Sequence, residues 1–252
     1  MEHAHLSPKS EHDLLLGWSH EQRQRVDEST RATMINGSIV NRRSSILAFL
    51  HRALMRLLWA IPGMPARMTR QAFGDRTCLT QCENGFFLTA SGGGRKLSQI
   101  WIQSEHGSPQ LSDSVIFKEE CKLALLVLIE DATEVVPEDI KHMLQEADLG
   151  DAVLPMSSVT FLCRHSRSES NAAVNEITYP VYYPCRRVEL AAAGIDAIKG
   201  YNELSLTTRL GSSARFVIAR PDFFVHSIAR SAEDFQRNAK ELRKALYPNA
   251  NT

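Results

Sequence analysis

The sequence predicts an α/β protein, a mixed sheet with flanking helices preceded by a helical N-terminal segment. Three observations carry this. The solid apolar run Leu123 to Ile129, bounded by Lys122 and Glu130, suits a strand covered on both faces of a sheet. Arg215 to Ala219 and Phe223 to Ala229 are strand-like stretches joined around Arg220-Pro221-Asp222, residues that favour a turn. Well before them, Ile46, Phe49, Leu50, Leu54, Leu57, Leu58 and Ile61 recur with the 3.6-residue period of one helix face.

Taken in order, residues 1–12 are expected to be disordered. Asp13 to about Asn41 reads as a largely polar helix around Leu14, Leu15 and Trp18. The next helix runs from Ser44 or Ser45 to Ala60 and is stopped by Pro62-Gly63. Between Ala32 and Gly74 there is no acidic residue, while Arg42, Arg43, Arg52, Arg56, Arg67 and Arg70 are present. Such a helix can lie on an anionic surface or face an acidic partner, or it can dock within its own chain with its arginines reaching water.

Beyond Gln71 the pattern turns strand-like. Gly85-Phe86-Phe87-Leu88 leads into the run Gly92-Gly93-Gly94, and Gln99 to Ile102 reads as a short strand. Pro137-Glu138-Asp139 opens a helix that ends near Leu149-Gly150, since proline is tolerated and acids are favoured in a first turn. Val159 to Cys163 is the next strand. The prolines of Tyr179-Pro180-Val181-Tyr182-Tyr183-Pro184 point to an edge or irregular piece, followed by a helix or turn over 188–201. Ser231 caps a last helix with Glu233 and Asp234 in its first turn, Arg243 and Lys244 in its last, and Pro248 beyond. Strand–helix–strand, hairpin and closing helix is the order of a thioredoxin-like layer.

Composition bounds the function. Of 252 residues, 43% are hydrophobic and 23% charged, the proportions of an ordinary globule. Lysine plus arginine number 29, as do aspartate plus glutamate, so no global field favours nucleic acid. The polar, histidine-dotted start from Met1 to Lys9 does not read as a signal peptide, and His51, Arg52 and Arg56 interrupt the longest apolar stretch. A cytoplasmic chain without a transmembrane segment is expected.

Specific chemistry is sparse. Cys78, Cys82, Cys121, Cys163 and Cys185 are too scattered for a disulfide framework and contain no C-x-x-C, so packed thiols are expected. Cys163-Arg164-His165 offers a thiol beside an imidazole, but Cys163 extends an apolar strand and reads as packed. The Gly92-Gly93-Gly94-Arg95-Lys96 turn could bind an anion through backbone N–H groups; a simple loop is the plainer reading. His3 with His5 makes a poor metal site, and the neighbouring Glu119 and Glu120 read as solvated. No H-E-x-x-H, G-x-S-x-G or G-x-x-x-x-G-K-[ST] occurs. Neither does the G-x-G-x-x-G elbow whose amides hold a dinucleotide pyrophosphate, and only 13 glycines are present. No catalytic, cofactor-binding or metal residue is assigned.

Several segments nevertheless resemble, in order, the flavin-dependent aromatic monooxygenases of the phenol hydroxylase type. Leu15-Leu16-Gly17-Trp18-Ser19-His20-Glu21-Gln22-Arg23 is similar to the tract after that family's flavin core, although Gln22 splits the Glu-Arg pair and the following proline is missing. Glu28-Ser29-Thr30-Arg31 and Asn36-Gly37 continue it. Gly85-Phe86-Phe87-Leu88, Gly92-Gly93-Gly94-Arg95, Gln99-Ile100-Trp101 and Leu111-Ser112-Asp113 resemble the entry into the family's C-terminal domain, and Ala219-Arg220-Pro221-Asp222-Phe223-Phe224-Val225 its Val-Arg-Pro-Asp hairpin. Gly74-Asp75 and Gly150-Asp151 echo the family's second flavin motif but fall after the Glu-Arg tract instead of before it.

The resemblance implies a thioredoxin-like domain without redox dithiol over 71–252, preceded at 13–70 by helices like those ending the flavin and substrate domain. It further implies a truncated relative, an accessory or structural partner or a remnant linked to aromatic hydroxylation in secondary-metabolite biosynthesis. The alternative is an FAD-dependent oxidoreductase hydroxylating a phenolic or polyketide-derived ring. FAD and NADPH are expected only of the full-length family. A flavin-domain protein, or a second copy of the chain, is the partner expected on the 44–61 helix.

Overall fold

A computed structural model describes residues 8–41, 44–64, 85–117, 122–131, 137–149, 153–167, 179–198 and 200–247. By contacts the chain forms two units, one of residues 13–86 and one of residues 1–12 with 87–252.

The helical unit holds α1 (Pro8–Val40) from Asp13 onward, a long polar helix, and α2 (Ser45–Ala60), the apolar one. Proline suits the first turn of α1, because its missing N–H would have no partner there. Glu21 is buried and accepts a hydrogen bond from the Phe86 amide at 2.8 Å, which ties α1 to the end of its unit. For α2, the Ser44 hydroxyl accepts from the Leu47 N–H at 3.5 Å, and the Ile61 N–H closes the last turn on Leu58. Gly63, at φ 80°, then supplies the left-handed residue that an L side chain resists.

The other unit is a mixed α/β layer. Its strands are β1 (Trp101–Ser104), β2 (Gln110–Leu111), β3 (Ala124–Ile129), β4 (Val159–Cys163), β5 (Val181–Pro184), β6 (Phe216–Ala219) and β7 (Val225–Ala229). They form one sheet in the order β2-β1-β5-β4-β3-β6-β7. β3 runs parallel to β4 and antiparallel to β6, with Leu125 opposite Val159 on one side and Ile218 on the other. Its central place explains its composition: all six residues of β3 are buried, as a strand covered on both faces requires.

Helices α3 (Ser112–Ile116), α4 (Pro137–Ala147), α5 (Arg187–Ala192), α6 (Ser205–Leu210) and α7 (Ala232–Leu246) accompany the sheet. α4 buries Ile140, Met143 and Ala147, and α7 buries Phe235, Leu242 and Leu246. These two helices touch through Gln236, whose amide donates to the Met143 carbonyl at 2.8 Å. On α7 the Ser231 hydroxyl accepts from the Asp234 N–H at 3.2 Å, with acids in the first turn and Arg243 and Lys244 in the last. Another core layer joins Leu97, Ile100, Ile116, Leu126, Leu162 and Val217.

Several details depart from the sequence-based expectation. Gly85 to Leu88 is irregular instead of strand, and a 3-10 turn, Thr89–Ser91, follows. β5 is no edge: it pairs with β4 on one side and β1 on the other. Its prolines are harmless because Pro180 precedes the strand and Pro184 ends it, where the ladder can spare an N–H. The single helix or turn placed at 188–201 is α5, with α6 forming later. The hairpin connection is longer than the strand-like composition suggests: β7 starts at Val225 instead of Phe223, and the ladder skips His226, with Ala219 opposite Val225 and Ile218 opposite Ser227.

Candidate functional site

A guanidinium braces the hairpin turn. Buried Arg220 donates to both carboxylate oxygens of Asp222, from Nε at 3.1 Å and from a terminal nitrogen at 2.8 Å. This leaves Phe223 at φ 68°, a left-handed conformation unusual outside glycine, while its ring meets Phe117 edge-on at 5.1 Å. Backbone bonds close the turn as well, from the Arg220 N–H to the Phe224 carbonyl at 2.8 Å and from the Phe223 N–H to the Arg220 carbonyl at 3.0 Å.

The glycine run is consumed by packing. The Gly92 N–H donates to Thr89, the Gly93 N–H to Leu88 and the Gly94 N–H to Val225, at 3.1, 2.9 and 2.9 Å. A Cβ at Gly93 would stand 2.3 Å from the His226 carbonyl, so the absence of a side chain is what lets this segment press against β7. Arg95 donates to the Arg209 carbonyl and Arg209 to that of Lys96. With these amides engaged, the run fits neither a free anion nor a flavin pyrophosphate.

Cys163 and His165 do not form a dyad. The buried Cys163 thiol donates to the Glu130 carbonyl at 3.2 Å, while the His165 ring meets the Glu130 carboxylate at 3.0 Å. Burial pushes the Cys163 thiol up, away from the thiolate a nucleophile needs. The Cys185 thiol is pushed up to about 12, by burial first and by Glu189 second. Both are packed thiols. Tyr201, also raised to about 12 by burial, donates to the Cys185 carbonyl at 2.8 Å and accepts from the Trp101 N–H at 3.2 Å. It clips three stretches of backbone together.

Other expectations fall outside the described residues: His3 and His5, Cys78, Cys82, Cys121, Glu119-Glu120, the Gly74-Asp75 and Gly150-Asp151 pairs, Pro248, and Arg42, Arg43, Arg67 and Arg70. Among the described residues no three metal-ligating side chains converge, and no helix is long and apolar enough to cross a membrane.

Two surfaces remain. The first is α2, which has no buried residue: Ile46 is 73% exposed, Phe49 70% and Leu57 65%, and Leu50, Leu54 and Trp59 are exposed beside them. Arg52 and Arg56 rise from the same helix with no carboxylate on it. The second is a cavity of about 380 Å³ at the carboxyl end of β3, between the N-terminal ends of α4 and α7. The sequence reading placed no function there, because its walls come from five separate stretches of chain.

No family model matches this chain, and no curated protein matches it.

Proposed function

We propose that this chain is a non-catalytic docking subunit for flavin-dependent aromatic hydroxylation, engaging a separate flavin-domain polypeptide through α2. The observation that carries this is a helix with no buried residue, on which Ile46, Phe49, Leu50, Leu54, Leu57 and Trp59 are exposed. Monomers seldom leave so continuous an apolar stripe in water, and helix-in-groove docking is the common way to cover one. The lack of any acid between Ala32 and Gly74 favours a groove bordered by carboxylates.

The order β4-β3-β6-β7, with α4 between the parallel strands and α7 closing, supports a thioredoxin-like reading of the other unit. Its packed thiols suit scaffolding better than dithiol exchange. The resemblance to phenol hydroxylase-type enzymes supplies the nature of the partner.

Titration calorimetry of the full chain against the flavin domain of an aromatic hydroxylase tests this. A saturable complex is expected, lost in a Leu50→Glu/Leu54→Glu/Leu57→Glu variant. Exclusive self-association would replace the flavoprotein partner by a second copy. Flavin retained by the chain alone, with substrate-stimulated NADPH oxidation, would reverse the non-catalytic reading.

A further inference from the structure

The cavity at the carboxyl end of β3 is independent of α2 and of the docking proposal. Its floor is apolar: Val127 and Ile129 of β3, Phe161 of β4, Phe216 of β6, and Ile140 and Met143 of α4. Its volume, about 380 Å³, falls within the range of small-molecule sites. The rim is charged, carrying Arg215, Arg230, Asp139 and Glu233.

The two signs differ in how they are satisfied. Glu233 accepts from the Ser231 hydroxyl and its own backbone N–H at the start of α7, which holds its carboxyl below the usual range. Asp139 sits in the first turn of α4, where the helix dipole favours a negative charge. Neither guanidinium has an ion-pair or hydrogen-bond partner among the described residues. The Arg215 guanidinium carbon lies 5.8 Å from the Phe216 ring centroid, and Arg230 contributes only its backbone N–H, to Asp234. Phe216 pairs with Ala229, so Arg215 and Arg230 occupy the next rung of the same antiparallel ladder. Like charges opposed across a ladder repel, and among the described residues no ion pair offsets them.

We propose that this cavity binds a small organic carboxylate, its apolar body against Phe161, Phe216 and Met143 and its carboxylate held between Arg215 and Arg230. A neutral apolar ligand would leave the arginine pair uncompensated. An inorganic anion would leave the apolar floor uncovered. An amphipathic anion satisfies both, and arginine forks match carboxylate geometry.

Calorimetry of the full chain with 2-naphthoate and with decanoate, beside neutral 2-naphthamide and inorganic phosphate, tests the assignment. At least one carboxylate is expected to bind at a single site. The amide and phosphate are expected to bind more weakly by about tenfold or more, the worth of one charge-assisted contact. An Arg215→Gln/Arg230→Gln variant, altered only at exposed side chains, is expected to melt as the parent does and to lose carboxylate affinity by about tenfold or more. Saturable binding of neither carboxylate, equal affinity for naphthamide and naphthoate, or unchanged affinity in the double variant would overturn the proposal.

Discussion

β3 and α2 are both apolar runs, and they meet opposite fates. Every residue of β3 is buried, whereas α2 buries none. Periodicity fixes which element a run becomes, but what covers that element is decided elsewhere. β3 finds β4 and β6 at its sides and packed layers on its faces. α2 presents the same kind of side chain to solvent, together with Arg52 and Arg56. One run contributes to the stability of the fold; the other leaves most of its apolar side chains to water.

That contrast makes the largest expected effect a core truncation. Leu126→Ala, in the centre of β3 and fully buried, should cost about 3 kcal/mol by lost transfer and cavity formation, read as a lower denaturant midpoint. Gly93→Ala comes next, at about 2 kcal/mol, because the new methyl meets backbone atoms that cannot step aside. Gly63→Ala is the control, since nothing lies within 4 Å and only the positive φ is strained; about 1 kcal/mol is expected.

Asp222→Ala should cost about 2 kcal/mol, less than a fully buried pair would, because Asp222 is partly exposed while Arg220 is not. Leu54→Ala on α2 should change stability by less than about 0.5 kcal/mol, a small effect that contrasts with Leu126→Ala on the same assay. An α2 truncation as costly as the β3 one would erase the distinction between the two regions.

The thiols sharpen the same contrast through pH. The folded Cys185 holds its proton up to about 12, whereas an ordinary thiol releases it near 9.0. The stabilising contribution is therefore complete below about pH 9 and is lost as pH rises toward 12. Iodoacetamide at pH 8 should leave Cys163 and Cys185 unmodified in the folded chain and label both in denaturant. Labelling of either in the folded state would contradict the packed-thiol assignment.

Much of the fold was legible in the sequence, for reasons the structure makes plain. β3 announced itself by length and flanking charges, and α7 by Ser231, its first-turn acids and its last-turn cations. β5 reads from its prolines as an edge or irregular piece, yet it is an internal strand, because a proline's position within a strand matters more than its presence. The skipped residue in the β6–β7 ladder and the left-handed Phe223 were hidden, since the Arg220-Pro221-Asp222 signal marks a turn without fixing its register. The glycine run was legible as a tight segment; that its amides bond to Leu88, Thr89 and Val225 was not.

The cavity was the least visible feature. A register drawn outward from the Arg220-Pro221-Asp222 turn would set Arg215 opposite Ser227; the longer connection and the irregularity in the ladder bring it to the rung of Arg230 instead. Nothing in the sequence says that α4 arrives over the same rung. The candidate site thus comes from non-local assembly, as the exposed face of α2 comes from a local pattern without a cover.

Hydrogen–deuterium exchange of the α2 amides tests the central claim most directly, comparing the full chain alone with the chain saturated by an aromatic hydroxylase flavin domain. The account predicts fast exchange over Ser45–Ala60 in the free chain and strong protection there in the mixture, with β3 slow in both. Exchange over α2 that is unchanged by the flavin domain would contradict it.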